Sequence, residues 1–484
     1  MPGTEDGNRP VIVWFAQDLR LADHPALTAA VQQERPIIPL YVLDDEASGP
    51  WAARGASRWW LHYSLQALAA DLAQRGSRLI LRRGNATTII AELVQELGAT
   101  AVFCTRRYEP CASADERKLK NHLSQRGFDF RRFGGSLLYE PETVATKDAQ
   151  PFKVFTPFSK VCLAQRVTSS ALPTPAKITT PSQWPASDVL DDWVLTPRTP
   201  DWAGGLRECW SPGEAGATRR LDAFVESSLD EYHTSRDRPD CAATSSLSPH
   251  LHFGELSPRQ VWHRVAPFAS TFPGGTEGAD SFLRELIWRE FSYHMLYHWP
   301  TLPEAPFRPG FERFPWRDDE HMLAAWQLGR TGYPLVDAGM RQLWHTGWMH
   351  NRVRMVTASF LVKHLLIPWQ RGAAWFWDTL VDADLANNSA SWQWVSGCGV
   401  DAAPYFRIFN PILQGLKFDP DGTYVRRWVP EIALLKTDYI HQPWLAPTSA
   451  LEDASIRLGE NYPEPVVDHA FARRRALEAF ATVR

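Results

Sequence analysis

Apolar and polar positions alternate along the chain in two distinct rhythms. Between Val11 and about Arg132 short apolar runs recur: VIVWF at 11, IIPLYVL at 37, RLILR at 78, AVFC at 101 and FDFRRF at 128. They predict five short buried strands. Between them, Leu61, Leu65, Leu68 and Leu72 repeat at helical spacing, as do Ile89, Leu93 and Leu97. Such strand–helix alternation predicts a doubly wound, mainly parallel α/β domain. No GxGxxG follows the first strand, which runs instead into Gln17, Asp18, Leu19 and Arg20, and this argues against a dinucleotide-binding Rossmann domain. From Ala171 to Pro212 the chain is rich in Pro, Thr, Ser and Asp with little periodicity, the pattern of a long connection. After Leu221 the period becomes 3.6, with amphipathic segments at about 217–231, 281–298, 320–328, 334–346, 349–366 and 372–379, and strand patterns stop. The expected organisation is an α/β domain over 1–135, an interdomain linker over 136–212 and an all-helical domain over 213–484.

Composition sharpens this picture at a few points. A chain of 484 residues exceeds the size at which one core stops growing, consistent with two domains. Six cysteines, at 104, 111, 162, 209, 241 and 398, fall at no zinc or iron–sulfur spacing, so reduced thiols and no metal site are expected. The opening MPGTEDGNRP carries no apolar stretch, and no later segment approaches the roughly 20 apolar residues of a membrane span. A cytoplasmic protein without membrane association is expected. The net charge of −4 argues against non-specific coating of nucleic acid, but leaves room for a local basic patch. Of 22 tryptophans, 16 follow residue 200, a bias that packing alone does not predict.

Candidate chemistry concentrates in the helical half. Thr244, Ser245, Ser246, Leu247 and Ser248 precede Pro249, which suits the first turn of a helix. Hydroxyls and N–H groups there suit a pyrophosphate, and they equally suit simple capping. In SFLRELIWREFSYHMLYH, Glu285, Trp288 and Arg289 share one helical face; a solvated ion pair beside a core tryptophan has the same spacing. In TGWMHNRVRMVTASF, Asn351, Arg354 and Met355 repeat it, while Met349, Val353, Val356 and Phe360 occupy another face. One face packs and the other presents polar groups. Arg354 on so apolar a helix needs a carboxylate partner, and LVDADLANNSASWQW offers Asp382 and Asp384. If that run is helical, Asp384, Asn388 and Trp392 align at intervals of four; a purely structural salt bridge remains the alternative.

These runs, in this order, together with DAAPYFRIFNP and the TSSLSP block, closely resemble the photolyase/cryptochrome flavoproteins, most of all the cyclobutane pyrimidine dimer photolyases of class I-like bacterial type. WFAQDLRLADHPAL and QPFKVFTPF are similar to the family's opening and domain-linking motifs, so the resemblance spans about residues 11 to 430. It implies an α/β antenna domain, a linker and a helical domain holding FAD. Tyr232 and Thr244, Ser245, Ser246, Leu247 and Ser248 would hold the FAD phosphates, with Arg289 a further cofactor-binding residue. Arg354 would pair with Asp382 beside the isoalloxazine, Asp384 would contact the flavin, and Asn388 would face the ring nitrogen protonated on reduction. Trp392, Trp369 and Trp316 match the family's electron-hopping chain.

For the substrate, the resemblance implies UV-damaged DNA with the lesion flipped out of the duplex, as the handling of bases by photolyases generally requires. Trp288 and Trp394 would wall the dimer with Met355 beside them, and Glu285 and Asn351 would bond the base edges. Arg236, Arg352, Arg407, Gln414 and Lys417 are candidate backbone contacts. Light-excited reduced FAD would lend an electron that splits the dimer and then returns, with no net redox change.

Two rival readings make different demands. A (6-4) photoproduct enzyme is expected to carry His at Asn351 and Gln at Glu285, and neither occurs. A plant-type cryptochrome sensor usually carries Asp at the Asn388 position and a long C-terminal tail, whereas this sequence runs about 50 residues past its last motif. The sequence departs from the family pattern at Ala16, His24, Ser159, Ser292 and Tyr293; the first two lie in the antenna half and bear on the second chromophore. A second chromophore, whether folate, deazaflavin or flavin mononucleotide, stays open, with Glu109 in RRYEPCASADERK as the candidate contact. A monomer is expected.

Overall fold

Five strands form where the apolar runs predict them: β1 Val11–Phe15, β2 Ile37–Leu43, β3 Ile80–Arg83, β4 Ala101–Thr105 and β5 Asp129–Phe133. All pair in parallel, in the order β3-β2-β1-β4-β5. β1 and β4 are buried along their whole length, and so they appear in the sequence as unbroken apolar runs rather than alternating ones. Helices Pro25–Val31, Gly55–Ala73, Ala86–Glu96 and Pro110–Ser124 connect the strands. β5 exposes Asp129, Arg131 and Arg132 and buries Phe130, the charged edge that discourages pairing with another chain. The computed structural model describes residues 9–47, 49–165, 167, 169–401 and 406–483, so residues 402–405 of the DAAPYFRIFNP motif lie outside the described residues.

The chain divides into two compact units, but not at the boundaries 135 and 212. Unit one comprises 1–203, 210–230 and 245–300; unit two comprises 204–209, 231–244 and 301–484. The sheet therefore keeps the linker and the first part of the helical region. Buried polar groups account for it. Arg20, 1% exposed, donates to the carbonyls of Asp23, Gly135 and Gly254. Asp23 accepts from Arg259, Ser257 and the Leu172 N–H. Glu255 accepts from the Trp60 indole at 3.0 Å and the Gly213 N–H at 2.7 Å, and pairs with His250 at 2.5 Å. An unpaired charge at any of these sites would cost several kcal/mol, roughly 3–5, so each partner is held in place.

Gly254 shows how tight the junction is. Its φ is +66°, and a Cβ there would lie 2.1 Å from the Gln17 carbonyl oxygen. Gly254→Ala is expected to cost upwards of about 3 kcal/mol through overpacking and left-handed strain, read as a large drop in thermal midpoint; a midpoint within a degree of the parent would contradict it.

In unit two the expected helices appear as Glu320–Gln327, Pro334–Thr346, Asn351–Ser359, Trp369–Thr379 and Leu385–Ser396. The predicted continuous helix over 349–366 is broken: it starts only after His350, widens into a π turn at Phe360–His364, and ends near Leu366, whose φ is +58°. In unit one, the segment 281–298 belongs to the helix Glu277–His298, and Phe155–Ala164 forms a helix inside the linker that its composition does not announce.

Candidate active site

In unit two, Asn351–Ser359 sorts its side chains as the spacing requires. Val353 and Val356 are fully buried, as are Met349 before the helix and Phe360 after it, while Asn351, Arg352, Arg354 and Met355 lie on the more accessible side. His350 caps the helix through Nδ1, which accepts the Arg352 N–H at 3.2 Å. That role needs a neutral ring, and burial holds His350 down at about 4. The unfolded chain takes up the proton first, so this contribution is present above the ordinary histidine pKa and fades as pH falls from about 6.5 toward 4. His350→Asn keeps a capping acceptor without the titration. Its stability relative to the parent should improve by up to about 1.4 kcal/mol per pH unit over that window; parallel denaturation curves at pH 7.5 and 5 would count against it.

Arg354 finds the partner that its burial demands. Its Nη2 donates to Asp382 at 2.8 and 3.1 Å, and its Nε to the Met349 carbonyl at 2.7 Å. Asp384 is the N-cap of Leu385–Ser396 rather than part of it, accepting the Asn387 N–H at 2.8 Å. Asn388 and Trp392 follow on the same buried side, 8% and 2% exposed. Asn388 Nδ2 donates to the Ala373 carbonyl at 3.2 Å. A carbonyl can only accept, so the amide is oriented and its Oδ1 is left to receive an N–H donor. Trp392 packs against Phe376 and Trp326, with ring centroids at 5.0 and 6.2 Å. Beneath it, Gly372 comes so close that a Cβ would sit 2.1 Å from the indole. Trp369 is buried and Trp316 half-buried against Phe314, an ordering from interior toward surface.

Two of the basic candidates of unit two are anchored. Arg352 pairs with Asp237 at 2.7 Å and lies over the Phe418 ring, and Arg236 lies over the buried Tyr232 ring. Lys417 and Arg407 are exposed, Gln414 is half-buried, and the Trp394 indole donates to the Asp401 carbonyl at 3.1 Å.

In unit one, Trp288 stacks face to face on Phe155, centroids 3.5 Å apart and 5° from coplanar. Glu285 is half-buried on the same helix. Arg289 donates to the Ser136 carbonyl at 2.9 Å, pairs with Glu290 and lies over Tyr293. It lines a small cleft with Arg106, Arg107, Tyr108 and His252. Ser246 adopts φ +49°, the Ser245 hydroxyl accepts the Leu247 N–H at 3.4 Å, and the short helix Ser248–His252 begins after Leu247 with no side-chain cap. Pro249 takes the first turn as expected. Glu109 precedes Pro110–Ser124 as its N-cap residue, half-buried, without a side-chain capping bond.

Two family profiles match the chain. One, described as DNA photolyase, covers residues 11–177, and the other, the FAD binding domain of DNA photolyase, covers 282–482. The chain belongs to the photolyase/cryptochrome family. Among photolyase relatives, the deoxyribodipyrimidine photo-lyase of Agrobacterium fabrum is 50% identical over 98% of both chains. Cryptochrome-1 of Arabidopsis thaliana is 41% identical over 97% of this chain and 70% of its own. The crystal structure of a class III photolyase from Agrobacterium tumefaciens superposes with a TM-score of 0.95 at 50% identity, covering 98% of each chain. The sequence motifs had suggested a class I-like type, and this structural neighbour carries the class III name.

The FAD that this photolyase family binds fits the residues present. In unit two, a carboxylate-paired guanidinium and an oriented buried amide are a donor and acceptor set suited to a flavin ring. Motif reading missed Phe155 as the support of Trp288, His350 as a cap, and Lys363. Phe155 lies in the flagged QPFKVFTPF run, but nothing in its pattern points to a tryptophan 133 positions away.

Proposed function

We propose that the chain is a light-driven deoxyribodipyrimidine photo-lyase that restores cyclobutane pyrimidine dimers in DNA. The observation that carries this reading is the polar face of Asn351–Ser359, where Asn351 and Met355 flank an Arg354 neutralised by Asp382. Such a face offers an amide to a base edge and a soft apolar surface beside it, and a photo-lyase relative 50% identical over nearly the whole chain supports it. Reduced FAD, when bound, supplies the photoexcited electron donor.

The remaining roles belong to this chain. Tyr232 and the Thr244–Ser248 block hold the cofactor's phosphates, with Arg289 a further cofactor-binding residue; Asp384 contacts the flavin and Asn388 faces its ring nitrogen. Trp288 and Trp394 offer indole faces to an extruded dimer, and Glu285 accepts imide N–H groups or, protonated, donates to a carbonyl where charge develops. Arg236, Arg352, Arg407, Gln414 and Lys417 meet the DNA backbone. Trp392, Trp369 and Trp316 relay electrons inward from the surface. A second, antenna chromophore near Glu109, a monomeric state and a cytoplasmic location complete the proposal.

Incubated with a thymine-dimer oligonucleotide, the reduced protein is expected to regenerate thymines under blue light and not in the dark. Glu285→Ala should bind the dimer roughly fivefold more weakly, the worth of one hydrogen bond of about 1 kcal/mol. Equal product in light and dark would overturn the reading. The similarity to a plant cryptochrome favours one rival, a light sensor; that rival predicts flavin spectral changes on illumination without any thymine regenerated.

A further inference from the structure

One buried charge in unit two has no part in the roles above. Lys363 lies in the π turn Phe360–His364 and is 2% exposed. Among the described residues no carboxylate pairs with it. Its Nζ donates to the Arg407 carbonyl and lies 4.4 Å from the Phe406 ring centroid. Four residues earlier, the fully buried Ser359 accepts the Phe409 N–H at 3.3 Å. One helix side therefore grips the backbone of 406–409 at two points. The next residue along, Asn410, caps Pro411–Phe418 through bonds to the Ile412 and Leu413 N–H groups. His364, beside Lys363, is engaged elsewhere, with His469 at 2.8 Å.

Burying an ammonium without a counter-ion is costly, and burial pushes Lys363 down to about 7. Methionine would fill the same space without that cost. What lysine adds is a donor long enough to reach a main-chain oxygen in the 406–409 segment, and the residue it reaches, Arg407, is itself exposed.

We infer that Lys363 is a positioning residue for DNA binding: by fixing the Arg407 carbonyl it presents the Arg407 guanidinium to a backbone phosphate. The inference rests on the proposed DNA repair function and on Arg407 as a phosphate contact. An arginine on a loosely held segment pays the ordering entropy of its backbone when DNA binds; one already fixed does not.

The test compares the parent, Lys363→Met, Arg407→Gln and the double variant, each as flavin-loaded full chain. Binding to a dimer-containing duplex is followed by fluorescence anisotropy over a range of salt concentrations. Arg407→Gln is expected to lower the slope of log K against log salt by about 0.9, one phosphate contact. Lys363→Met is expected to lower the slope by a similar amount and weaken binding roughly tenfold, the scale of freeing one backbone residue. In the double variant the lysine change should add nothing. A parental slope in Lys363→Met, or an undiminished further loss in the Arg407→Gln background, overturns the inference. If Arg407→Gln itself is silent, Arg407 is not a phosphate contact and the inference falls with it, while light-dependent repair, measured separately, still decides the function. Lys363→Leu takes the same place if the methionine variant does not retain flavin, and a parental slope there is equally fatal.

Discussion

Asp382→Asn is expected to purify with little or no flavin. Asp382 is 8% exposed and accepts both short bonds from Arg354, whose remaining anchor is the Met349 carbonyl. Asparagine keeps the shape and one acceptor but removes the charge, leaving a largely buried guanidinium uncompensated. Breaking such a pair costs about 3 kcal/mol at the lower end of the usual range, appropriate because Arg354 keeps some solvent contact. Paid out of cofactor binding, that is on the order of 100-fold in affinity. The ratio of flavin to protein absorbance after gel filtration reads it directly. A variant that retains one flavin per chain would show that the pair serves the helix packing alone.

Trp392→Phe should separate photoreduction from repair. Phenylalanine preserves the packing against Phe376 and Trp326, so the fold should lose no more than about 2 kcal/mol. Its ring, however, is far harder to oxidise than an indole. With an external thiol as electron source, light-driven reduction of the bound flavin is expected to slow by about tenfold or more, a barrier increase of at least about 1.4 kcal/mol. Chemically reduced enzyme should still regenerate thymines at the parental rate, because Trp392 is buried and contacts no substrate in the proposed arrangement. Photoreduction at the parental rate would remove Trp392 from the relay.

The strands were legible because parallel strands covered on both faces must be largely apolar, as β1, β2 and β4 are. Arg354's need for a carboxylate was legible for a similar reason, since a charge on an apolar helix demands a partner; the residues alone left Asp382 and Asp384 both open, and the family resemblance chose Asp382. The division into units was not. It depends on Asp23 meeting Arg259 across 236 positions and on Glu290 accepting the Leu138 and Tyr139 N–H groups, contacts that no local period encodes. The break in the helix after Ser359 was not legible either, since the 3.6 period runs on through FLVKHLLI with a lysine set in an apolar run. The sequence could not say where that amine points.

Gly372 has a bearing on kinetics as well as packing. With no side chain between the helix Trp369–Thr379 and the Trp392 indole, the ring packs directly against that helix and is expected to keep one pose. An electron donor with one pose has one distance and one coupling to its acceptor. Its arrival trace after a light flash should then fit a single exponential, with the spread of rates that a rocking ring would produce removed by the smallest residue in the alphabet.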